Sequence, residues 1–303
     1  PLDVFVFHVQ VPVGAQTLEA SFDFLSALST TGFSSAASVT AHLGVYSWNQ
    51  VVLYPVGPAS DDITVTASLD LPVGWSFATA LTVARQQAST VVFAPVSLTT
   101  LVDSPVIAGE HLKTVVVDTS SRPVSVSMVA DSSGALDVPA GVVEAWTRLV
   151  READALFGAR HFDHYRFLLT LSDRVAHFGL EHHQSNDSRL TADAVVRQSN
   201  ALDTMAHEYV HSWNGKFRRP AGLATADFQQ PMAGDLLWVY EGLTQYLGYV
   251  IAVRSGLIDE HRYREGLAAV AATQQQRTGR AWRSLGDTSV SGQILYDAPA
   301  EWR

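Results

Sequence analysis

The chain has 303 residues, 47% of them hydrophobic, which is enough for a large core and, by length, for about two domains. Its 30 acidic and 20 basic residues leave a formal charge of −10 without a long run of one sign, so a nucleic-acid partner is excluded. No cysteine is present, so any metal must sit on His, Asp or Glu.

The opening Pro1-Leu2-Asp3 runs straight into VFVFHVQV at 4–11, with neither the basic region nor the small-residue cleavage site of a secretory signal. From Leu2 to about Val117 short apolar or alternating runs are separated by Gly, Pro, Asn and Asp. Besides 4–11 they include QVVLY at 50–54, ITVTASL at 63–69 and TVVFAPV at 90–96. That pattern predicts an all-β half. The first clear helical periodicity is Ala140–Phe157, stopped by Gly158. Strands are expected at Tyr165–Leu171 and His177–Glu181, and helices from about Asn200 onward. The expected division is an N-terminal β-rich domain at 1–115 and an α+β domain at 116–303. Leu236 to Val253 is the one long apolar stretch, but Glu241, Thr244 and Gln245 lie in its middle, so it is read as a buried core helix and no membrane span is expected.

Within the helical part, Leu202, Met205, Ala206, Tyr209, Val210 and Trp213 recur as one apolar stripe, with Asn200 able to cap the helix. His207 and His211 fall off that stripe. Four residues apart, they project from neighbouring turns of one face and can converge on one ion, with Glu208 one step round as a general base. Zinc accepts two such imidazoles and one carboxylate and keeps a position open. Glu241, isolated in an apolar helix that Asp235 begins and Gly256 ends, is the expected third ligand, because an unpaired buried carboxylate would be expensive. Gln245, one turn further, is positioned to hold a ligand imidazole in its tautomer. Asn214, seven residues after His207, is expected to face the cleft and contact substrate. Lys216, Arg218 and Arg219 read mainly as a solvated loop, with a substrate carboxylate or carbonyl as the other reading.

HEYVHSWNGKFRRPAGL at 207–223, followed by LLWVYEGLTQYLGYV at 236–250, resembles the bacterial glycyl aminopeptidase family. The resemblance extends to FGARHFDHYRFLLTLSD at 157–173, to GLEHHQS at 179–185, and to VLYPVG and PVSLTTLVDSPVIAG in the β half. It implies an N-terminal β domain followed by a thermolysin-like, gluzincin α+β catalytic domain, with one zinc on His207, His211 and Glu241 and with Glu208 as base. It further implies that Glu181 receives the free α-amino group of a peptide whose first residue is Gly or Ala. The same resemblance places the oxyanion-stabilising tyrosine and a PDZ domain beyond residue 303, and Tyr296 comes too early in register to replace that tyrosine. Two other functions remain open, a thermolysin-type endopeptidase with the same metal core and a catalytically silent peptide-binding protein keeping zinc as a clip. For the clip, no fourth protein ligand is evident in the sequence. Peptide is the expected partner throughout. Oligomeric state and compartment have no signal here.

Overall fold

A computed structural model describes residues 8–32 and 36–292. The first half contains β1 (Leu43–Tyr46), β2 (Thr64–Val65), β3 (Ser68–Asp70), β4 (Ser76–Thr79), β5 (Val83–Gln87), β6 (Thr90–Phe93), β7 (Val96–Ser97), α1 (Leu98–Val102) and β8 (Val106–Gly109). Two small antiparallel sheets, ordered β1-β8-β4 and β3-β6-β5, and the pair β2-β7 make up this β-rich part. α1 interrupts it because the Ser97 side chain accepts from the Thr100 amide, an N-cap that the sequence reading took as part of a strand-rich run. QVVLY is also not a strand: Trp48–Gln50 form a 3₁₀ turn and the chain leaves it irregularly. Of the expected strand at 4–11, residues 4–7 lie outside the described residues and the rest has no regular structure.

The second part carries β9 (His111–Asp118), β10 (Val124–Ala130), α2 (Ala140–Phe157), β11 (Tyr165–Leu171), β12 (Phe178–Glu181), β13 (Ser185–Leu190), α3 (Asp203–His211), α4 (Thr244–Ser255), α5 (Glu260–Gln275) and α6 (Leu285–Val290). Its five-stranded sheet is ordered β12-β13-β11-β10-β9. β13, β11 and β10 run parallel, while β12 and β9 are antiparallel edges. The expected division at 115 falls inside β9, whose whole length pairs with β10. We therefore propose Glu110 as the change of unit. α2 has its expected bounds, ending on Gly158 at φ 73°, a left-handed cap that a side chain would strain.

α2, α3 and α4 cover one face of this sheet and share a core with it, built on Trp146, Leu149, Phe167, Leu169, Met205, Tyr209 and Ile251. The other face meets the β-rich part, where Val129, Leu168 and Val175 pack on Leu43, Val45 and Ile107. Among the described residues no helix is long and apolar enough to cross a membrane.

The sequence offered no sign of β13. Its SNDSRL is polar, yet the strand lies buried between β11 and β12. Most of its polar groups find partners: Arg189 donates to Asp187 at 2.7 Å, Asn186 donates to the Ser188 hydroxyl at 2.6 Å, and the Leu168 amide donates to Asn186, while Ser185 Oγ and Arg189 Nη1 have none. Arg189 also stacks over Phe178, 4.4 Å from the ring centre. Apolar alternation is therefore absent from a central strand.

A candidate metal centre in the cleft beside an edge strand

α3 buries Met205, Ala206, Tyr209 and Val210 and turns its other face to the cleft. On that face the potential ligand atoms of His207, Glu208 and His211 lie within 4.8 Å of one another. The two imidazole Nε2 atoms are 3.1 Å apart, and Glu241 Oε2 is 3.4 Å from that of His207 and 3.3 Å from that of His211. Donors about 2.0–2.1 Å from one tetrahedral ion are separated by about 3.3–3.4 Å, so these three fit a single metal. Three further facts support the fit. His211 Nδ1 lies 3.1 Å from the Asn214 carbonyl, which as acceptor keeps the proton there and leaves the Nε2 lone pair for metal. Partial burial pushes the Glu241 carboxyl up, but hydrogen bonds and charge from His207 and His211 hold it down, to about 2, so it is an anion. Burial, with the carboxylates of Glu181, Glu241 and Asp187, raises Glu208 well above the usual range, a repulsion that a divalent cation relieves.

Glu241 corrects the burial argument made from sequence. Its side chain is 47% exposed, and Trp238, Leu243 and Tyr246 around it are exposed as well. The apolar stretch is not a core helix on all sides; it buries Tyr240, Thr244, Gly248, Ile251 and Ala252. Its start also differs. Gly234–Leu236 form a 3₁₀ turn, Trp238–Leu243 a π-turn containing Glu241, and only then does α4 begin, so Asp235 is not the cap; Gly256 does close the helix, at φ 78°. Such wide turns cost backbone regularity and recur at functional sites, where they aim one side chain. Gly248 brings the two helices close, for a Cβ there would stand 3.0 Å from the His207 Cα.

Asn214 does not point at substrate. Its amide donates to the Val239 carbonyl at 2.8 Å and to the Thr244 hydroxyl at 2.9 Å, spanning the π-turn that carries Glu241. With its own carbonyl on His211, this residue joins that imidazole to the turn that carries Glu241. Asn214→Ala is therefore expected to weaken metal affinity by about 10–100-fold, measured by competition with a chelator, while the fold persists.

Glu181 ends the edge strand β12 in the same cleft. It accepts a hydrogen bond from Tyr240, whose ring packs on His211 at 4.7 Å. Burial pushes the Glu181 carboxyl up, yet Lys216, His211 and the Tyr240 hydroxyl outweigh it and keep the group ionised. The sequence reading missed Tyr240, and the only signal was Gly215. That glycine sits at φ 134°, and a Cβ on it would be 2.5 Å from the tyrosine ring. Lys216 is not free for substrate either, since it pairs with Asp103 at 2.9 Å. The same Asp103 carboxylate accepts from the His183 amide at 2.7 Å and lies 3.2 Å from His182 Nδ1, tying the strand end to α1 of the β-rich part. His182 and the backbone amide of His183 thus serve this link, while the His183 imidazole lies 2.8 Å from that of His161. Gln245 lines a cavity beside His207 but makes no hydrogen bond to either imidazole. Tyr296 lies outside the described residues.

The model of the M61 glycyl aminopeptidase matches residues 200–302, the segment that supplies His207, Glu208, His211 and Glu241, and that of the peptidase M61 N-terminal domain matches 3–110. The chain belongs to the M61 glycyl aminopeptidase family. No curated protein matches it. Among solved structures, this M61 chain resembles an aminopeptidase N family protein from Idiomarina loihiensis, at 22% identity and TM-score 0.68, over 85% of this chain and 45% of that one. It also resembles native yeast LTA4 hydrolase, at 15% identity and TM-score 0.52, over 83% and 36% of the two chains. The M61 chain thus spans less than half the length of either, and what these likenesses carry is the fold: a β-rich domain followed by an α+β domain.

Proposed function

We propose that this chain is the metal-binding part of a zinc aminopeptidase that hydrolyses the first peptide bond of peptides beginning with Gly or Ala. The observation that supports it most is the convergence of His207, His211 and Glu241 at 3.1–3.4 Å beside a buried Glu208, with a second ionised carboxylate, Glu181, in the same cleft. Zinc, when bound, polarises the scissile carbonyl and makes water a nucleophile near neutral pH. Glu208 takes the proton of that water and passes it to the leaving amine. Glu181, held by Tyr240, pairs with the free α-ammonium group and fixes the peptide so that a single residue precedes the cut. Exclusion of longer N-terminal extensions follows from that pairing, since an acylated or internal residue brings no cation to it. The Gly or Ala preference rests on the family.

The test is Glu181→Gln. Hydrolysis of a glycyl or alanyl anilide is expected to fall by about 10–100-fold, as for a lost charge-assisted hydrogen bond, while cleavage of an internally quenched N-acetylated peptide changes little. Equal losses on both substrates, or better cleavage of the acetylated one by the unaltered enzyme, would establish an endopeptidase instead.

A further inference from the structure

Beside the metal centre, away from Glu181, the cleft deepens into a cavity of about 330 Å³ to which the reaction above gives no task. His207 and Glu208 form its inner wall, and Gly179, Thr204, Asp203, Gln245 and Tyr249 complete it. Among the described residues no lysine or arginine lines it, and the nearest charge acting on Asp203 is the His207 imidazole. Burial pushes the Asp203 carboxyl up, opposed by the amide protons of Thr204 and Asp203 and by His207, and its two oxygens keep acceptor capacity toward the cavity.

The order of groups along α3 sets what reaches this cavity. Asp203 and Thr204 lie at its start, His207 and Glu208 in its middle, and His211, which neighbours Tyr240 and Glu181, at its end. Eight residues of helix advance about 12 Å, close to the reach of three or four extended residues. β12 runs alongside in the same direction, with Gly179 against Glu208 and Thr204 and with Glu181 two residues on. Among the described residues β12 ends its sheet, with β13 as its one strand neighbour, and extended peptides add to such edges. A peptide with its amine on Glu181 and its first carbonyl at the metal therefore continues past Gly179 and sets its second side chain over the cavity.

We infer that this cavity is the subsite for the residue after the scissile bond and that Asp203 makes it select a basic side chain, lysine or arginine. The inference rests on the aminopeptidase reading for the direction of the peptide. Thr204, Gln245 and the Tyr249 hydroxyl offer further polar contacts to the cation, and the stem of a lysine or arginine covers the ring of Tyr249.

The experiment compares tripeptides Gly-Lys-Ala, Gly-Leu-Ala and Gly-Glu-Ala, both as substrates and as ligands of zinc-loaded Glu208→Gln protein followed by calorimetry. Gly-Lys-Ala is expected to exceed Gly-Leu-Ala by about tenfold in kcat/KM and in affinity, and Gly-Glu-Ala to be poorest, as for one charge-assisted contact. Asp203→Asn should bring the lysine-to-leucine ratio close to one, and Asp203→Lys should invert the order of Lys and Glu peptides. A purely structural role at the start of α3 would lower the melting temperature and leave these ratios unchanged, which overturns the subsite. Preferential binding of the lysine peptide without cleavage of any tripeptide keeps the subsite and overturns the aminopeptidase reading; equal binding of all three overturns the subsite whatever the cleavage.

Discussion

Glu208→Gln is expected to retain about one zinc per chain while hydrolysis of glycyl anilide falls by about 10²–10⁴-fold, the range for loss of a positioned general base. The metal is retained because the three donors that fit one tetrahedral ion are His207, His211 and Glu241, and Glu208 stands beside them. Glutamine has the volume of glutamate, so the 5%-exposed site is not emptied, and loss of the charge removes repulsion from Glu181 and Glu241. The protein is therefore expected to be at least as stable as before. Metal analysis and a melting curve accompany the rate measurement. Loss of zinc together with activity would move Glu208 into the ligand set, and unchanged activity would remove it from the reaction.

Gly179→Ala separates position from chemistry at the same carboxylate. A Cβ on residue 179 would stand 2.1 Å from Glu208 Oε1 and 2.6 Å from the Thr204 methyl group. The carboxylate is the end of a flexible side chain and gives way first, so the expected cost in stability is small, about 1 kcal/mol, at the low end of overpacking effects. The expected cost in rate is large. Displacing a catalytic group by about an ångström costs on the order of 10²-fold. A fall in kcat with little change in melting temperature or zinc content is the expected result. A variant that keeps its rate would show that Glu208 has room elsewhere and that β12 does not set its position.

How much of this was legible beforehand differs residue by residue. His207, Glu208 and His211 could be read because they lie on one helix, where spacing alone fixes relative direction. Glu241 was reached by a partly mistaken route. The sequence argued from a buried carboxylate needing a metal, whereas the side chain is half exposed and is aimed by a π-turn that no local pattern announces. For Asn214, counting from His207 supposes that the helix continues, but α3 ends at His211 and the chain turns back.

The amino-acid sequence by itself determined the order of the two parts, the bounds of α2 and β11, the clustering of His207, Glu208 and His211 as a candidate metal site, and the family resemblance, all of which depend on residues near one another in the chain or on runs of one period. Tertiary structure alone decided the polar central strand β13, the bond from Tyr240 to Glu181, the Asp103 link between the β-rich part and the strand end, and the Asp203 cavity. Each of these joins side chains distant in sequence. Hydrogen bonding and burial depend on where such groups meet, and periodicity carries no information about that.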